Sequence, residues 1–346
     1  MTQGLEQDQV KGAQGFFEAA GATLTNGRIL HFGDSVQEFK ALAQAGLVPL
    51  LGTTPFRLTG ADRLEFLHGQ VSHEVKRLSA GESRPALMLN VRGHALALMR
   101  VYRREDDLFV AVEGGAGTQV EAQLRAHIIF DQVELTDLTD TITALTLQGT
   151  KASSVLQNVF GGELLQENTF AEFSFASAKV LVSPVARSQA GGFDLFVLTR
   201  EAADLVRALE SAGASLAGEA ALEAHRIAAG LADAEHEGGE GVLPQEAGLE
   251  YALSYRKGCY LGQEIMARIE ARGNPRRRLV GLTLGGQPET GDITREGKTV
   301  GRLGGVAAHP EQGTIALASV RTELEPGVEL GVGTVTARLE TLPLTF

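Results

Sequence analysis

Three features of the sequence have the residue types and spacing to do chemistry. Lys257 and Cys259 stand two residues apart, just ahead of a helix-periodic segment, Gln263 to Arg272, with Ile265, Met266 and Ile269 on one side. A neighbouring lysine and a helix N-terminus ahead both favour thiolate, so the spacing predicts a nucleophilic Cys259 with a pKa below the usual ~8.5. The competing reading is a small buried hydrophobe. Arg226 shares a helix face with Leu222 and Ala229, which puts a guanidinium on the side that otherwise points inward. There it needs an anionic or carbonyl partner, either in a structural salt bridge or on a ligand. Arg272, Arg276, Arg277 and Arg278 make a local basic patch, read either as a solvated helix end or as a nucleic-acid contact.

Other candidates are weaker. Gly114, Gly115 and Gly117 lie between a strand and a helix, where backbone N–H groups cradle phosphate in a complete G-x-G-x-x-G; the third glycine is missing, so a plain turn is expected. His236, between Glu235 and Glu237, reads as a solvated loop residue. Cys259 is the sole cysteine, which excludes an intramolecular disulfide and cannot alone hold zinc or an iron-sulfur cluster. The 8 histidines show no H-E-x-x-H, and no G-x-S-x-G occurs, so neither a metal site nor a serine nucleophile is assigned.

These residues need a scaffold, and 346 residues suffice for two or three domains. With 43% hydrophobic and 21% charged residues the chain reads as globular, and no apolar run approaches the ~20 residues of a membrane helix, so no membrane partner is expected. The polar start MTQGLEQDQVKG lacks the pattern of a secretory signal, which predicts a cytoplasmic location. A net charge of -12 argues against bulk nucleic-acid binding and leaves local patches open. Apolar spacing predicts a helix over Val36 to Gly46, and from Thr59 a capping-box-like start followed by one broken helix or two short ones through Leu78. ALALMRVY and DLFVAVE flank RRED as a hairpin, and a helix carrying Val120 and Leu124 follows. The same order recurs as AKVLVSPVA, GFDLFVLT and a helix with Leu205 and Leu209, and Asp-Leu-Phe-Val occurs at both Asp107 and Asp194. An internal duplication follows: two related α+β halves, 1–140 and 141–276. From 277 to 346 short strands separated by Gly and Pro predict a C-terminal antiparallel β-barrel.

Lys257-Gly258-Cys259-Tyr260-Leu261-Gly262-Gln263-Glu264 resembles the K-G-C-Y-x-G-Q-E signature of the YgfZ-type folate-binding proteins, a branch of the glycine-cleavage T-protein (aminomethyltransferase) superfamily. LTGADRLEFLHGQVSHEV, LMLNVRGHALALMRVYRRED, ALEAHRIAAG, LPQEAGLE and TIALASV extend the likeness over all but about the first 30 residues. The resemblance implies a clover-like arrangement of two folate-binding α+β subdomains and a barrel around a central channel for tetrahydrofolate. It implies a part in assembling or repairing iron-sulfur proteins, including iron-sulfur enzymes that modify tRNA, with those clients or assembly factors as partners. Cys259 and Lys257 become the reactive pair; Arg226, Tyr260, Gln263 and Glu264 become the folate contacts, Arg226 through a carboxylate or a pterin edge. Two departures weigh against T-protein chemistry. The Gly-Gly-Ile-x-Asp-Asp segment, whose aspartate assists methylene transfer, is here Gly93-His94-Ala95-Leu96-Ala97-Leu98, and Ala97 cannot move a proton. Ala190 falls where the G-Y-T-G-E-D-G-F-E segment has its pterin-binding glutamate. The rival readings are a folate-dependent one-carbon transferase or demethylase, and a tRNA-binding module using the four arginines.

Overall fold

The structure, a computed structural model, describes residues 13–162, 165–273 and 275–345. A hairpin, β1 (Thr23–Thr25) and β2 (Arg28–His31), leads through α1 (Ser35–Gln44) to β3 (Gly46–Pro49). The first half runs β4 (Thr54–Thr59), α2 (Arg63–Gln70), β5 (Ser83–Leu89), β6 (Ala95–Arg103), β7 (Leu108–Val112), α3 (Gly117–His127) and β8 (Glu134–Asp137). The second runs β9 (Ile142–Gln148), α4 (Ala152–Phe160), β10 (Ala171–Phe175), β11 (Ala178–Pro184), β12 (Gly192–Leu198), α5 (Thr199–Ser211) and β13 (Ser215–Leu216). Both halves therefore repeat one unit, β-α-β-β-β-α-β, as the duplicated string implies. Helices α6 (Glu219–Ala229) and α7 (Gln263–Arg272) precede β14 (Arg277–Leu284), β15 (Asp292–Arg295), β16 (Lys298–His309), β17 (Gly313–Arg321), β18 (Glu329–Val332) and β19 (Val335–Glu340). These six strands close into an antiparallel barrel in the order β14-β17-β16-β15-β18-β19.

Pairing does not follow chain order. The first sheet is β5-β6-β7-β4-β8, and the second is β10-β11-β12-β9-β3-β13. Strand β3, from the N-terminal segment, thus completes the second sheet, and Phe17, Ile29 and Leu47 share its helix-side core with Leu145, Leu195 and Leu205. Conversely the irregular segment after α6 packs on the first sheet, where Val242, Leu249 and Tyr260 meet Leu87, Leu89 and Leu98. Buried Glu38 of α1 pins the exchange: its Oε1 accepts from Phe32 N at 2.8 Å and its Oε2 from Gly218 N at 2.8 Å.

Two local expectations change. Helix α1 is capped by Asp34, which accepts from Val36 N and Gln37 N at 3.0 Å, and Gly46 opens β3 instead of stopping the helix. Its missing side chain matters because a Cβ there would lie 2.7 Å from Leu42. The stripe from Leu64 to Leu78 is buried but only its first part is helical. Ser72 diverts the chain: its N–H donates to Leu87 O at 2.8 Å, its hydroxyl donates to Ala252 O at 2.6 Å and accepts from Leu87 N at 2.9 Å. Strand-type bonds to β5 thereby replace the next helical turn.

The two sheets face each other across an aromatic contact. Phe109 and Phe196 occupy the same place in the two Asp-Leu-Phe-Val strings, and their rings meet edge to face with centroids 4.9 Å apart. Tyr102 joins both, at 5.7 and 5.6 Å. Phe196→Ala is expected to cost about 3–5 kcal/mol of unfolding free energy. A double-mutant cycle with Phe109→Ala, followed by urea unfolding, should return a coupling of roughly 1 kcal/mol; strict additivity would show that the halves do not lean on this pair.

Candidate functional site

Between the halves lies a cavity of about 530 Å³, within the range of small-molecule sites. Leu50, Leu98 and Leu222 supply apolar wall, while Arg28, Glu113, Arg187, Glu219 and Asp233 supply charge. Tyr251, half exposed as a residue, lines it as well, and burial by the surrounding protein pushes its phenol up.

The charged wall is built from complementary pairs. Arg187 donates to Asp194 at 2.7 and 2.9 Å and to Glu113 at 2.9 and 3.1 Å, linking β7 to β12. Arg226 commits all five N–H groups: Nε and Nη2 to Glu223 (2.8 and 2.6 Å), Nη1 to Leu231 O (2.5 Å), and Nη1 and Nη2 to Glu237 (2.7 and 3.3 Å). Asp233 stands 3.3 Å from its Nε. The barrel clasps this network from behind. Strand β16 bulges between Leu303 and Val306, Gly305 N donates to Glu237 Oε1 at 2.8 Å, and a Cβ on Gly305 would come within 2.4 Å of Arg226 Nη2.

The expectation that Arg226 offers its guanidinium to a ligand is therefore corrected to the structural salt bridge. It lines the cavity but has no free donor. His236, read as a solvated loop residue, keeps about a third of its side chain exposed but is tied to a carboxylate. Its Nδ1 meets Asp233 Oδ2 at 2.9 Å, and the hydrogen bond lifts the imidazole to about 9 while Asp233, despite burial, falls to about 2. Ala97 faces the helix-side core with Phe56 and Met99, and it is the next residue, Leu98, that meets the segment after α6 and lines the cavity. The side chain that this strand turns to the cavity is thus a leucine isobutyl group. Ala190 is exposed on the β11–β12 connection.

The signature residues gather elsewhere, against the first half. Lys257 is 6% exposed, and its ammonium donates to Val71 O at 2.5 Å and to His68 O, capping the C-terminal carbonyls of α2. It also lies 4.8 Å over the Tyr260 ring, and burial, against the pull of Glu74, brings it down to about 8. Its charge is directed at helix α2 and the ring, which makes Lys257 an anchor for the loop that carries Cys259. Tyr260 is buried, Gln263 donates to Lys257 O at 3.4 Å, Glu264 is exposed and pairs with Arg268 at 2.5 Å, and Cys259 is exposed. Of the predicted folate contacts, Arg226 alone lies on the cavity wall. The four arginines do not share a helix end: α7 stops at Arg272, Arg277 and Arg278 occupy successive positions of β14, and Arg278 donates to Leu324 O at 2.7 Å. The Arg272 side chain lies outside the described residues.

Residues 18–257 match the model of the GCVT N-terminal domain. The chain belongs to the GCVT family. An aminomethyltransferase of Rubrobacter xylanophilus is 31% identical over 316 residues, 88% of this chain and 83% of that protein. One of Thermus thermophilus is 30% identical over 327 residues, 91% of each. A putative chloroplastic transferase of Arabidopsis thaliana is 28% identical over 251 residues, 71% of this chain and 58% of its own length. The crystal structure of glycine cleavage system aminomethyltransferase T from Bartonella henselae superposes with a TM-score of 0.84 over 96% of both chains at 21% identity, the same fold. The superfamily implied by the sequence is therefore established, and with it an aminomethyltransferase-like fold. Sequence reasoning missed Glu113, Arg187, Glu219, Asp233 and Tyr251. One signal was available for Asp233 and Glu237: an inward-facing Arg226 demands carboxylates, and the segment just beyond it is rich in them.

The Asp233–His236 pair has a pH signature. Because the imidazole is raised, its stabilisation is complete below about 6.5 and fades as pH climbs through about 9. The ring is 36% exposed, so solvent screening trims the contribution to roughly 1 kcal/mol. Chemical denaturation of wild type and His236→Ala should show a difference of that size at pH 6 that closes by pH 10; a gap constant with pH would assign it to packing.

Proposed function

We propose that this chain is a tetrahydrofolate-binding protein of the YgfZ type, acting in the assembly or repair of iron-sulfur proteins. The observation that carries it is Leu98 on the cavity wall: the strand whose sequence resembles the Gly-Gly-Ile-x-Asp-Asp segment turns an aliphatic side chain to the cavity, with Ala97 buried behind it. The family resemblance implies tetrahydrofolate, and a cavity with apolar walls, a half-exposed tyrosine and a few oriented charges suits a heteroaromatic ligand of that size. Exposed Cys259, on a loop anchored by Lys257, is the group available to an iron-sulfur client. Reaction with such a client proceeds through its thiolate, as nucleophile or transient cluster contact.

A folate-dependent one-carbon transferase is the second reading, favoured by the 31% identity to an aminomethyltransferase and by the carboxylates of Glu113 and Glu219 on the cavity wall. Three measurements separate the two. Tetrahydrofolate should bind the wild type and Cys259→Ser equally. Aminomethyl transfer from a lipoyl carrier should be absent or lower by about 10²- to 10⁴-fold than in a T-protein, the usual effect of losing a positioned acid/base group. Cys259→Ser should fold normally yet fail to restore iron-sulfur enzyme activity in a deletion strain. Turnover at T-protein rates would establish the transferase, and full complementation by the serine variant would remove the thiol from the function.

A further inference from the structure

Among the cavity carboxylates Glu219 stands apart. It belongs to the first turn of α6, lines the cavity and is 22% exposed at the side chain. Its Oε1 is buried with no hydrogen-bond partner among the described residues. Its Oε2 lies 3.7 Å from Arg28 Nη1, longer than a hydrogen bond. Arg28 Nη2 is meanwhile held by Glu235 at 2.8 Å, so the nearest cation is engaged by a second carboxylate. One turn further along the helix Glu223 has two bonds from Arg226. One carboxyl of α6 therefore has a full set of partners, and the other, at the cavity wall, has a single loose ion pair and no hydrogen bond among the described residues.

We propose that Glu219 is the carboxyl through which this cavity exchanges a proton with solvent when reduced folate binds. In the free protein at pH 6 the group is the neutral acid. As the ligand arrives, the O–H bond breaks, the proton leaves to buffer, and the carboxylate accepts an N–H of the reduced pterin at Oε2, since Oε1 is closed off. Ionised, the group takes that donor in a charge-assisted bond, which the neutral acid cannot make. The groups facing Glu219 fit the exchange: Arg28 from β2, Glu235 beyond α6, Arg187 from the β11–β12 connection and Glu223 on its own helix. Burial, together with Glu235 and Glu223 and against the pull of Arg28 and Arg187, raises the carboxyl to about 7. Folate affinity then rises with pH, by about tenfold between pH 6 and pH 8.

The inference rests on the folate reading, and calorimetry separates the two. Tetrahydrofolate is titrated anaerobically into the full chain at pH 6 and pH 8 in buffers of different ionisation heat. The expected result is release of nearly one proton at pH 6, little at pH 8, and about tenfold tighter binding at the higher pH. Glu219→Gln should bind with no such release and no such pH dependence. Binding without proton release in the wild type, or release that persists in the Gln variant, would overturn the proposal and leave folate binding intact. Failure of the wild type to bind at any pH would overturn the folate reading and the proposal with it. Carboxyl-¹³C spectra of glutamate-labelled wild type test the same group if the variant does not fold: one resonance must titrate near pH 7 in the free protein and stay ionised with folate bound, and its absence overturns the assignment.

Discussion

The architecture depends on two sheets that each carry more apolar surface than their own helices can cover. In the first half α2 and α3 cover one face of the sheet, and α4 and α5 cover the corresponding face of the second. The remaining faces bury Tyr102, Phe109, Phe170 and Phe196 against one another. Duplication makes this contact nearly automatic, because the same phenylalanine of the same string arrives from both sides. The cavity is what remains where the two faces diverge and charged residues line the gap.

Burying charge beside that gap is costly unless every group is paired. Around Arg187 and Arg226 the molecule meets the requirement, the donors of each being shared among carboxylates from different segments. Arg187 joins Glu113 of the first half to Asp194 of the second, and Arg226 joins Glu223 to Glu237, with a glycine bulge in the barrel admitting them. The barrel therefore acts on the cavity indirectly. Ala224 and Ile227 of α6 pack on Ala307, Ile315 and Leu317, which fixes the helix whose other residues form the cavity wall.

The signature segment has a structural half and an exposed half. Lys257 and Tyr260 are buried and Gly262, at φ +84, adopts the left-handed conformation that leads into α7 with Asn90 O only 2.7 Å from any added Cβ. Those three residues are what the fold needs of the loop. Cys259 is exposed and caps nothing, so packing does not account for its place in the segment.

The sequence by itself determined the elements, because strand alternation, helical periodicity and turn glycines are local properties of the chain. The duplicated hairpin and helix, the barrel strands and the superfamily were all legible from such patterns. It also showed that Arg226 points inward, since a helix face is set by spacing alone. The tertiary structure decided what meets that face. Glu237, Asp233 and Gly305 are brought to Arg226 by the loop after α6 and by a barrel bulge, and nothing in local periodicity encodes which carboxylate reaches which cation. The choice between Ala97 and Leu98 at the cavity is of the same kind. Successive strand residues point to opposite faces, so a bulge in the β5–β6 pairing between Met88 and Leu89 helps set which of them sees the ligand space. Chain order gave no hint that β3 completes the second sheet, because strand pairing is settled by which edge remains open when the halves pack.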